Sequence, residues 1–140
     1  MSVQTVLLPV FVQIGLTFLL LIWMVGARRQ ALVSRETKIK DIALGEPNWP
    51  PRTTQIGNCY RNQFELPVLF YVLTILAWDT RHAGVVFVVL AWIFVICRVL
   101  QAYVHVTSNI VRLRGAFFSA GAAVLMIMWG IYIVAVLSGT

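Results

Sequence analysis

The run Arg61-Asn62-Gln63-Phe64-Glu65-Leu66-Pro67 opens an apolar stretch, yet it holds an arginine, an asparagine and a glutamate. A charged side chain placed in hydrocarbon costs roughly 2.5–3.5 kcal/mol on insertion scales. A helix through 61–67 would set Arg61 and Glu65 four apart, and Asn62 and Glu65 three apart, all on one face. Such a face needs a partner, and Arg98, a lone charge inside a later apolar run, is the candidate. Gln101 and His105 follow Arg98 at i+3 and i+7, which makes one helical stripe; Tyr103 falls off it. Arg112 and Arg114 come shortly after. Several cations around one carboxylate would suit an anionic, water-soluble ligand that also carries an amine for Glu65. Two plainer readings stay open: Glu65 and Arg98 could simply fasten two helices, and Arg112 and Arg114 could simply set membrane orientation.

The elements that must position these groups follow from composition. Of 140 residues, 60% are hydrophobic and 11% charged, against roughly 45–50% and about 25% in soluble domains. That composition describes an integral membrane protein, so the net charge of +6 is read first as a topology signal. No Lys/Arg cluster is interleaved with aromatics as a nucleic-acid surface requires. Cys59 and Cys97 form neither a metal spacing nor a disulfide framework, and no metal site is expected. Residues 1–27 carry no charge, so the first apolar run lacks a signal peptide's basic region and reads as an uncleaved span.

Four spans are expected, near 4–27, 58–78, 84–107 and 115–138, in one domain over residues 1–140. The fold class is therefore all-α membrane protein, a four-transmembrane-helix bundle. Gln13 is expected to hydrogen-bond to a neighbouring helix, and Pro67 to kink the second span. Between the first two spans lies a polar connection with a short helix near 30–42; Pro47, Pro50 and Pro51 argue against a long helix after it. The turn Asp79-Thr80-Arg81-His82 makes spans two and three antiparallel neighbours, with His82 solvated. Small residues Gly115, Ser119, Ala120, Gly121, Ala122 and Ala123 favour close helix contact. Lys and Arg concentrate in the first and third connections, which places those in the cytoplasm and both termini on the other side, in a bacterial inner membrane or an endomembrane. Glu65 then lies about 10 Å deep and Arg98 about 15 Å, on the same side, at 1.5 Å per residue.

With its four spans, polar first connection, Arg-Asn-x-x-Glu run at 61–65 and arginine within span three, the chain resembles the membrane-associated proteins in eicosanoid and glutathione metabolism, the MAPEG family. The likeness covers nearly the whole chain. It implies a homotrimer in the lipid bilayer, with glutathione as co-substrate at each subunit interface near the cytoplasm. It implies that Arg61, Asn62 and Glu65 contact glutathione, with Arg98 as the family's mid-helix-three arginine; Gln101 and His105 join the candidate binding set from their place on the Arg98 stripe. It also implies that Arg114 stabilises the thiolate for attack on a hydrophobic small-molecule substrate. The chain departs from the family's eicosanoid synthases at His105 and Phe118, where they carry tyrosines, and at Gly115, often a serine. Two functions follow: a glutathione-dependent transferase or peroxidase, or a non-catalytic accessory membrane protein with the same fold.

Overall fold

A computed structural model describes residues 1–140, and its α and 3-10 helices are joined by short turns and one longer loop, with no strands. Helix α1 spans Val3–Val33. Its first turn is capped by Ser2, whose hydroxyl accepts from the Thr5 N–H at 3.2 Å. It runs six residues past the expected boundary, and Arg35 then turns the chain with φ +61°. In place of a helix near 30–42 there is thus the end of α1 followed by a single 3-10 turn, Ile39–Asp41. Helix α2 spans Pro51–Asn62, in the half of the connection expected to be irregular. Pro51 starts this helix instead of preventing one, because the first helical residue needs no N–H partner.

The second span is broken. Helix α3 spans Leu66–Asp79, and residues 63–65 form a turn between it and α2. Pro67 is the reason. In a continuous helix its ring would press on the Gln63 carbonyl and deny it a donor; in the first turn of a new helix both costs vanish. Arg61 and Glu65 therefore do not share one helical face, as a continuous 61–67 helix would require. Helix α4 spans Val85–Val106, close to expectation, and α5 spans Val111–Leu137. Because α5 starts before residue 115, Arg112 and Arg114 belong to its opening turns, not to a basic link. Helices α1, α4 and α5 are each long and apolar enough to cross a membrane.

One apolar core joins α1, α3, α4 and α5 through Val6, Leu73, Val95 and Leu125, among others. The most extensive seam is α4 on α5, where a Cβ on Gly121 would sit 3.5 Å from that of Cys97. Of the small residues expected to face a helix, Gly121 is buried, while Gly115, Ser119, Ala120 and Ala123 are exposed. The backbone of α3 runs beside α1 and α5. It meets α4 across the core through side chains, with Phe70 stacked on Phe94 at 4.8 Å between ring centres.

Gln13 makes the hydrogen bond expected of it. Its Nε2 donates to Gln63 Oε1 at 2.9 Å, and Gln63 Nε2 donates to the Cys59 carbonyl at 2.9 Å. Both glutamines are buried, so this link pins the α2–α3 break to α1. His82 is more engaged than a solvated turn residue. Its ring nitrogens lie 2.9 Å from Thr80 Oγ1 and 2.8 Å from the Thr140 carbonyl, and its ring meets Tyr132 edge-on.

Candidate functional site

A cavity of about 450 Å³ opens where the α2–α3 break, the end of α4 and the start of α5 converge. Asn58, Arg61, Asn62 and Glu65 form one wall, Gln101 and His105 come from α4, and Val111, Arg114, Gly115, Phe118 and Ser119 form the other wall. The site residues read from the sequence are thus brought together, with one exception. Arg98 does not line the cavity; it lies behind it, 1% exposed.

Arg98 is the correction to the sequence reading. Its Nη2 donates to the Asn62 carbonyl at 3.2 Å and to Asn62 Oδ1, not to Glu65. The link to Glu65 is indirect, through Asn62 Nδ2, which donates to Glu65 Oε2 at 3.2 Å. The helix break explains the change of partner. The last carbonyls of α2 lack donors four residues on and form the negative end of the helix, so a guanidinium placed against them acts as a C-cap. The Arg98 guanidinium also lies 6.0 Å from the centre of the Phe118 ring.

The wall from α5 is electropositive for two reasons that add. A helix N-terminus presents free N–H groups and partial positive charge, and Arg114 stands in that region. Its Nη1 donates to Asn109 Oδ1 at 2.7 Å. The wall from α4 is held from the side by α2. Gln55 Nε2 donates to the His105 carbonyl at 2.8 Å and to the Thr107 carbonyl at 3.2 Å, and Arg52 donates to the Val106 carbonyl. These bonds occupy carbonyls at the end of α4 that the helix itself leaves free.

Several buried polar atoms at this end have no protein partner: Arg98 Nε and Nη1, Gln101 Oε1 and His105 Nδ1. Leaving such an atom unpaired costs about 1–3 kcal/mol. The cavity thus has two arginines and one carboxylate in its lining, with unsatisfied polar groups buried beside it. It can hold a small polar molecule, with carboxylates against Arg61 and Arg114 and an amine against Glu65.

Three residues here escaped the sequence reading. Asn58 lies one helical turn before Arg61 and Asn62, and that spacing could have revealed it. Ser119 lies one turn after Gly115 and lines the cavity with a hydroxyl. Asn109 sits in the α4–α5 link, where no periodicity points to it.

Three long apolar helices in an all-helical chain define an integral membrane protein. Within that class, the chain belongs to the MAPEG family, whose family model matches residues 6–134. No curated protein and no solved structure matches it.

Proposed function

We propose that this protein is a membrane-bound glutathione-dependent transferase or peroxidase acting on lipophilic electrophiles. The observation that carries this reading is one cavity lined by Glu65, Arg61 and Arg114. Glutathione has carboxylates, one ammonium and one thiol, and this rim offers Arg61 for a carboxylate, Glu65 for the ammonium and Arg114 for the sulfur. Gln101 and His105 line the same cavity and add polar side chains to it. Arg114 is the residue assigned to the sulfur. A cation there favours the thiolate over a thiol that otherwise ionises at about pH 8.5.

The chemistry balances without a further group. In transfer, the thiol proton goes to solvent, the thiolate forms the S–C bond, and the electrophile's leaving group departs or its strained ring opens. In peroxide reduction, two glutathiones become one disulfide while the peroxide becomes an alcohol and water. The apolar partner enters from the bilayer.

The arrangement proposed around this site has four crossings, with α2 and α3 together making the second. It is a homotrimer with the cavity at the subunit interface, and both termini face away from the cytoplasm. The Lys/Arg distribution supports that orientation. Isothermal titration with glutathione, followed by conjugation of a model electrophile in detergent, tests the reading. Binding and turnover are expected; no heat at millimolar glutathione would overturn it. The alternative is a non-catalytic accessory protein. It is favoured by the placement of Arg98, which fastens the end of α2 from behind the cavity. That alternative requires glutathione binding to be absent.

A further inference from the structure

We infer that Asn109 is a positioning residue for Arg114: its carboxamide oxygen holds the guanidinium at the cavity while its backbone ends α4. This rests on the reading of the cavity as a thiol site. The contact is direct, with Arg114 Nη1 donating to Asn109 Oδ1 at 2.7 Å. Without it, Arg114 has reason to leave. It is a long, flexible side chain at the positive end of α5, where cations are disfavoured and water is near. One accepted hydrogen bond offsets that tendency and leaves the other guanidinium donors free for a ligand.

The same residue shapes the backbone. Asn109 has φ +51°, in the left-handed region that asparagine and glycine adopt most readily. Its N–H donates to the Val104 carbonyl at 2.8 Å, which closes the end of α4. Two residues later α5 begins. The link between α4 and α5 is therefore short because one residue both stops the first helix and sets the working side chain of the second. The two roles separate cleanly by substitution. Glycine keeps the left-handed backbone and removes the acceptor; alanine removes the acceptor and strains the backbone as well.

The experiment uses the full chain in detergent, with glutathione itself as the probe. Three quantities are measured for wild type, Asn109→Gly, Arg114→Ala and the double variant: glutathione affinity by calorimetry, the pH at which bound glutathione ionises by thiolate absorbance, and kcat with a model electrophile. In Asn109→Gly, kcat is expected to fall about tenfold and ionisation to move up by about one pH unit, the scale of one hydrogen bond to a charged group. Affinity should change less than about threefold. In the Arg114→Ala background, Asn109→Gly should add nothing to the ionisation shift, because coupled residues are non-additive. Wild-type ionisation and kcat in Asn109→Gly overturn the inference alone, as does an equal shift in both backgrounds or failure of the glycine variant to fold. If wild type binds no glutathione, the functional reading fails first and this one with it.

Discussion

The two ends of the bundle treat their polar groups in opposite ways. At the turn between α3 and α4, His82 is engaged through both ring nitrogens, Thr80 donates to Tyr132 at 3.2 Å, and the Tyr132 ring packs against His82. Trp129 Nε1 is the exception there. At the other end, Arg98, Gln101 and His105 keep buried atoms without partners beside a cavity rimmed by charge. The first end is closed by its own hydrogen bonds. The second leaves buried donors and acceptors unpaired beside a charged cavity, a contrast in keeping with the proposed binding role.

Substitutions can break that contrast or sharpen it. The largest effect is expected from Arg98→Ala, which removes the cap on α2 and the contact with Phe118. Denaturant unfolding in detergent should show a loss of about 2–4 kcal/mol. Unchanged stability would mean that the α2–α3 break is held some other way. Next comes Arg114→Ala, with a loss in kcat of about a hundredfold, typical of removing one charge-stabilising donor. Its unfolding midpoint should barely move; a large drop would make it a structural residue instead.

Arg61→Ala separates binding from folding more gently. Glutathione affinity should weaken about tenfold, as for one charge-assisted contact, while stability stays within about 0.5 kcal/mol because the residue is exposed. Gln63→Leu breaks the buried link to Gln13 and should cost about 1 kcal/mol. The smallest effect is expected from Tyr132→Phe at the closed end: a stability change under about 0.5 kcal/mol and unaltered glutathione affinity by titration. A marked loss of affinity there would show that the two ends are coupled and the contrast is misplaced.

Much of this arrangement was legible in the residue order. Hydropathy placed α1, α4 and α5, and the stripe Arg98, Gln101, His105 marked the inner side of α4. The break at residues 63–65 was signalled by Pro67 but read as a kink, since a proline within an apolar run is compatible with either. That single difference moved the partner of Arg98 from Glu65 to Asn62: opposite charges suggested a pair, but only the broken helix exposes a carbonyl end in need of a cation. Arg112 and Arg114 were placed in a link because charge alone marks a boundary, whereas α5 starts before them. Asn109 could not be found from spacing, because its role depends on a left-handed turn that brings two helix ends together.

The shortness of α3 has a consequence for where any reaction would occur. Fourteen residues reach about 21 Å from Asp79, whereas the hydrocarbon layer measures about 30 Å. In the proposed four-crossing arrangement, the carboxylate of Glu65 is thus sunk below the lipid headgroups, within reach of both dissolved and oil-soluble reagents. One added helical turn would raise it by about 5.4 Å toward the headgroups; one deleted turn would sink it by as much. In the proposed reaction, the meeting point of two immiscible reactants would be set by the length of a rod.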